Sequence, residues 1–175
     1  MRAEVVAMTG ECLNHEALKR AGEILKNGGL VAFPTETVYG LGGDALNPQA
    51  SKKIYAAKGR PSDNPLIVHI ADMDSLYRIV KTVPEKARIL AGKYWPGPFT
   101  MIFQKSDIVP METTGGLDSV AVRFPSDPVA AALIGAAGGY VAAPRANTSG
   151  RPSPTTAQHV AEDLGDAIDM IIDGG

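Results

Sequence analysis

Cysteine occurs once, as Cys12, which excludes a disulfide framework and fits a reducing cytosol. With that one thiol and three imidazoles (His15, His69 and His159), no Cys/His metal cluster is available, and no metal ligands are expected. No apolar run approaches the roughly 18 residues of a membrane-spanning helix. The start, Met1-Arg2-Ala3-Glu4, leads into no long apolar segment of the secretory type. Charge of one sign is also lacking. Lys and Arg number 17 against 19 Asp and Glu, a formal net charge of −2, so no global field draws the chain to nucleic acid. Aromatics are few (five Tyr, four Phe, one Trp), which weakens any reading based on base stacking. The phosphate-binding patterns Gly-x-x-x-x-Gly-Lys-Ser/Thr and Gly-x-Gly-x-x-Gly do not occur. There is no Gly-x-Ser-x-Gly elbow either, and the lone thiol has no obvious partner, so a covalent nucleophile is a poor fit. These absences describe a cytoplasmic, soluble protein.

What remains is an ordinary globular composition, 45% hydrophobic and 21% charged over 175 residues. A chain of that length is expected to form one domain, residues 1–175, burying about 70% of its unfolded surface. Helix-like and strand-like segments alternate. Asn14 is placed to cap a helix carrying Leu18, Ala21, Ile24 and Leu25 on one face, with Gly28-Gly29 ending it. Leu30–Phe33 reads as a buried strand, Pro48–Ala57 as a helix with Ile54 and Ala57 inward, and Leu66–Ile70 as the next strand. Helices are expected near Asp74–Val80 and Pro84–Tyr94, and strands at Phe99–Phe103 and Ser119–Phe124. Pro128–Ala137 reads as helix and Tyr140–Ala143 as strand. A helix over Thr155–Leu164, starting at Thr155 or Pro154, precedes a last strand at Asp169–Ile172. This order implies a mixed sheet covered by helices. Two long segments, Pro34–Asn47 and Pro144–Pro154, show neither helical nor strand periodicity, and long irregular loops in a compact domain usually carry function.

The most informative stretch is Lys58-Gly59-Arg60-Pro61-Ser62-Asp63-Asn64-Pro65-Leu66. It holds two cations two residues apart in a loop that Gly59 and two prolines keep from regular helix. With Lys52 and Lys53 they form a local basic cluster, and cations at a strand entrance suit a polyanion such as a triphosphate. Taken alone, such a run is more often a solvated turn. The chain also offers hydroxyls (Thr35, Thr37, Thr100, Ser119, Ser153), guanidinium forks (Arg60, Arg123), amides (Asn64, Asn147) and the His69 imidazole. A site of this kind acts by positioning and by stabilising phosphate charge.

Five motifs in order then carry a resemblance. They are Phe33-Pro34-Thr35-Glu36-Thr37-Val38-Tyr39-Gly40-Leu41, the Lys58–Leu66 loop, Trp95-Pro96-Gly97-Pro98-Phe99-Thr100, Val122-Arg123-Phe124-Pro125 and Asn147-Thr148-Ser149-Gly150. From about Ala17 to Gly175 the chain resembles the YrdC-like threonylcarbamoyl-AMP synthases. The resemblance implies an α/β fold, a twisted mixed sheet with flanking helices and a concave basic groove. It implies a nucleotidyltransferase that joins L-threonine, bicarbonate and ATP into threonylcarbamoyl-AMP and pyrophosphate, with Mg²⁺ bridging the phosphates. The product would feed the downstream tRNA threonylcarbamoyl transferase machinery. Carried over position by position, Lys58 and Arg60 would hold the triphosphate and act in catalysis. Asn64, Ser119, Arg145, Asn147 and Ser153 would contact the nucleotide, and Thr37, His69 and Arg123 would hold the threonine. His69 is a candidate general base by residue type only.

The chain departs from the family pattern in two places. Arg145-Ala146-Asn147 stands where the family usually has Ser-x-Asn, replacing a short hydroxyl at the nucleotide site. The family pattern also continues past Gly175 into a Ser-Thr-Val-containing strand, so the C-terminal end of the pattern is expected to be lacking. Two other readings stay open. One is a double-stranded RNA- or tRNA-binding module using the basic groove, with weak RNA binding. The other is a carbamoyl-adenylate-forming domain like that of hydrogenase-maturation carbamoyltransferases.

Overall fold

The computed structural model of the protein describes residues 3–9, 11–35, 39–59, 65–144, 156–164 and 167–174. Its strands are β1 (Glu4–Ala7), β2 (Val31–Phe33), β3 (Gly40–Asp44), β4 (Ile67–His69), β5 (Thr100–Gln104), β6 (Ser119–Arg123), β7 (Val141–Ala142) and β8 (Met170–Asp173). The helices are α1 (His15–Lys26), α2 (Pro48–Lys58), α3 (Met73–Ile79), α4 (Glu85–Tyr94), α5 (Pro128–Ala136) and α6 (Ala157–Leu164). The strands form one mixed sheet in the order β1-β8-β2-β3-β7-β4-β6-β5. Pairing is parallel for β1–β8, β2–β8 and β4–β6, and antiparallel elsewhere.

Local chemistry starts the helices where the sequence says it should. The Asn14 side chain accepts the Ala17 N–H at 3.0 Å, satisfying one of the amides that a helix start leaves without a partner. Asp72 and Asp127 do the same for α3 and α5. The Thr156 hydroxyl accepts the His159 N–H at 3.2 Å, so α6 begins at Ala157; Pro154 and Thr155 lie outside the described residues. The longest helix, α1, spans 12 residues, and among the described residues no helix is long and apolar enough to cross a membrane.

Three expectations need correction. The Pro34–Asn47 segment is not loop throughout, because Gly40–Asp44 forms β3. It shows no alternation because glycines stand where side chains would collide: a Cβ on Gly42 would sit 2.8 Å from Val141 Cγ1 and 2.9 Å from Phe33 Cε1. Glu4–Ala7, given no element by the sequence, pairs with β8. Its residues are mostly exposed, so burial left no pattern there. Lys58, expected in an exposed loop, is the last residue of α2 and only 3% exposed. Helix geometry carries it inward, and the turn begins one residue later, at Gly59 with φ 64°.

Two cores lie on opposite faces of the sheet. On one, Ala32, Leu41, Val68, Met101, Phe103, Val120, Val122 and Ile171 pack with Ile54, Leu76, Ala91 and Val160 of α2, α3, α4 and α6. On the other, Val31, Phe33, Val141, Met170 and Ile172 pack with Leu18, Ala21 and Leu25 of α1 and Val129, Ala130 and Leu133 of α5. This second cover is partial. Beyond β7 the same face continues across β4, β6 and β5, where period-two alternation presents His69, then Ser119, Ala121 and Arg123, then Thr100, Ile102 and Gln104. Among the described residues no helix contributes an apolar face there, and Ile102 is 73% exposed.

Candidate functional site

The half-covered face becomes a site because strand register puts three polar side chains side by side. His69 of β4 pairs with Arg123 of β6, and Arg123 pairs with Thr100 of β5. This row lines a cavity of about 280 Å³. The connection between β2 and β3 supplies another wall, with Thr35, Tyr39 and Gly40. Ala143 and Pro144, just past β7, supply a third. Pro98 closes a side, from a turn held by Trp95 Nε1 donating to the Phe99 carbonyl at 2.6 Å and the Gly97 amide donating to the Phe124 carbonyl at 2.7 Å.

The electrostatics follow from burial. His69 is 3% exposed and its ring meets Phe33 edge-on at 6.1 Å. Its Nδ1 lies 3.0 Å from the Ile67 carbonyl; a carbonyl only accepts, so Nδ1 carries the proton. Burial drives its pKa down to about 4, against the weaker pull of the Ile67 and Val141 carbonyls. The imidazole is therefore neutral near pH 7. Arg123 is half-buried, and desolvation lowers its pKa from the ordinary value, yet a guanidinium stays charged. Burial raises the pKa of Tyr39, opposed by the Gly174 amide that its oxygen accepts.

Of the residues expected from sequence, His69 and Arg123 come together in the cavity. Lys58 and Ser119 do not line it. Ser119 begins β6, half-buried and on the same face as Arg123, roughly 13 Å away by strand rise. Lys58 ends α2, which hydroxyls tie to the segment before β6. Ser51 Oγ and Thr113 Oγ1 are 2.8 Å apart, Thr113 Oγ1 donates to the Ala45 carbonyl at 2.7 Å, and Tyr55 donates to the Glu112 carbonyl at 3.0 Å. Thr37, Arg60, Asn64, Arg145, Asn147 and Ser153 lie outside the described residues. Thr37 falls in sequence between Thr35 and Tyr39, and Arg145 follows Pro144, all three flanks lining the cavity. Sequence reasoning counted Thr35 and Thr100 only as available hydroxyls and passed over Tyr39. The alternation in Thr100-Met101-Ile102-Phe103-Gln104 and Ser119-Val120-Ala121-Val122-Arg123 is the signal that places Thr100 on the face of Arg123.

Fold and cavity together define an α/β domain with a hollow on the half of a mixed sheet face that no described helix covers. The profile of the Sua5/YciO/YrdC family, described as "Telomere recombination", matches residues 23–175, and the chain belongs to that family. It is 50% identical over 171 residues to the threonylcarbamoyl-AMP synthase of Pyrococcus abyssi, covering 98% of this chain and 50% of that protein. To the threonylcarbamoyl-AMP synthase of Bacillus subtilis it is 53% identical over 163 residues, covering 93% of this chain and 47% of that protein. The chain thus spans about half the length of these curated relatives. The crystal structure of P. abyssi Sua5 complexed with L-threonine superposes with a TM-score of 0.95 at 50% identity, over 98% of this chain and 50% of that one. Escherichia coli YciO shares the fold, with a TM-score of 0.88 at 23% identity over 99% of this chain and 84% of that one.

Proposed function

We propose that this chain carries an L-threonylcarbamoyladenylate synthase activity, making threonylcarbamoyl-AMP and pyrophosphate from L-threonine, bicarbonate and ATP. The observation that carries the reading is the His69–Arg123 row lining a small polar cavity, in a chain half identical to a protein crystallised with L-threonine. A hollow of this size with few convergent polar groups suits a small molecule. Arg123 offers a planar fork to the amino-acid carboxylate, the geometry that bidentate pairing needs. Thr37 and His69 complete the amino-acid contacts. A base with a pKa of about 4 is weak at neutral pH, which favours neutral hydrogen bonding by His69 over proton abstraction.

In the reaction, the threonine amine bonds the bicarbonate carbon and a water is lost, giving a carbamate; a carbamate oxygen then bonds the α-phosphorus as its bond to pyrophosphate breaks and pyrophosphate leaves. Arg60, Asn64, Ser119, Arg145, Asn147 and Ser153 are the proposed nucleotide contacts. Lys58 joins them as a buried cation at the end of α2, not as an exposed loop lysine. Among the described residues no group of three or more His, Cys, Asp or Glu is arranged to hold a metal. Mg²⁺ is proposed as an ion carried on the triphosphate. The product's destination, a transferase acting on tRNA in the cytoplasm, belongs to the same proposal. Calorimetry tests the reading: the chain should bind L-threonine, and D-threonine far more weakly. No heat with L-threonine, with or without ATP, overturns it.

A further inference from the structure

The exit from β8 is fastened to the cavity wall. Gly174, the residue after β8, donates its amide to the Tyr39 hydroxyl at 2.9 Å, across 135 residues of sequence. The hydroxyl thus accepts from the chain just past β8, and the Asp173 carboxylate is near enough to help raise its pKa. Gly174 also lies against Pro34, where a Cβ would fall 2.7 Å from Pro34 Cγ and 2.9 Å from Pro34 Cβ. Pro34 precedes Thr35, and Thr35 and Tyr39 both line the cavity. A buried hydroxyl that accepts a backbone amide is a directional connection that an apolar ring cannot replace. The aromatic ring alone would account for the core packing of Tyr39, which is 4% exposed, but not for its oxygen.

We propose that Tyr39 is a positioning residue whose hydroxyl fixes the end of β8 against the wall lined by Thr35 and Tyr39 and so holds the amino-acid half of the cavity in its binding geometry. The identity of that amino acid rests on the function proposed above. Burial raises the pKa of Tyr39, so the phenol stays neutral throughout the neutral range and the contact with Gly174 does not change with pH there.

Tyr39→Phe keeps the ring and removes the hydroxyl. Gly174→Ala attacks the same contact from the other side by pushing a methyl into Pro34. Three readouts are taken on each variant: the L-threonine and ATP dissociation constants by calorimetry, the exchange rate of the backbone amide at position 174 by NMR, and Tm. The expected result is an L-threonine Kd raised about tenfold in both variants, with ATP affinity unchanged. In Tyr39→Phe the Gly174 amide should also exchange faster. If that amide exchanges faster while the L-threonine Kd stays within about twofold of wild type, the hydroxyl positions nothing and the inference fails. Equal losses of L-threonine and ATP affinity with a lower Tm would make Tyr39 merely structural, which also overturns it. Unchanged amide exchange removes the connection itself. A wild-type chain that binds no L-threonine would instead remove the functional reading, and with it the role given to Tyr39.

Discussion

His69 illustrates how one position is set by its neighbours. A half-exposed imidazole would titrate near 6.5, but burial holds this one near 4. The unfolded chain therefore takes up the proton first as pH falls. The stability linked to His69 is fully present above about pH 6.5, is lost between 6.5 and 4, and is constant below. The expected loss is on the order of 3 kcal/mol across that window. Urea unfolding at pH 7 and pH 5 should show about 2 kcal/mol of it, and His69→Gln should flatten the difference; an equal difference in the variant would place the titration elsewhere. Arg123 makes a different residue-scale prediction. Arg123→Ala should weaken L-threonine binding by about 1.5–3 kcal/mol, the scale of a charged hydrogen bond. Arg123→Lys should recover only part of this, because an ammonium cannot pair bidentately. At this scale His69 and Arg123 were legible as polar residues set in apolar strands. Tyr39 was not, because nothing in the sequence says that its oxygen meets Gly174, whose partner lies 135 residues away.

Among the elements, β3 leads into the site and was read as loop, whereas α2 was read to within one residue of its end. β3 brings Tyr39 and Gly40 to the cavity, yet Gly-Leu-Gly-Gly-Asp has little strand propensity. Its glycines are dictated by what lies across the sheet, which a linear reading does not see. Gly42→Ala should therefore cost about 1–3 kcal/mol by overpacking against Val141 and Phe33. A fall in the urea midpoint at constant m-value would register it, and an unchanged midpoint would mean the strand has room to shift. In α2 the helix itself was legible from Pro48 and the Gly59 stop. The inward turn of Lys58 was not, since a terminal lysine reads as solvated. The Ser51–Thr113 hydroxyl pair joins this helix to the segment before β6. Thr113→Val strands two buried oxygen partners and should destabilise by about 1–3 kcal/mol, read by thermal unfolding.

For the whole molecule, the decisive feature is unequal cover of the two sheet faces. Among the described residues, four helices back one face, while α1 and α5 shield only the β8–β2–β7 half of the other. The half those helices leave keeps polar side chains in register and lines the cavity. Most helices and strands were legible from capping residues, alternation and glycine stops, and the mixed sheet from adjacent strands without an intervening helix. The strand order was not, because β7 joins β3 to β4 and β8 lies between β1 and β2 through contacts far apart in sequence. The activity proposed for this face is threonine-dependent adenylate chemistry. Its most direct measurement is pyrophosphate release by the chain incubated with ATP, Mg²⁺, bicarbonate and L-threonine, against the same mixture with each component omitted in turn. Release that requires both L-threonine and bicarbonate, with threonylcarbamoyl-AMP identified by mass, is the predicted result; release indifferent to L-threonine, or none at all, would contradict it.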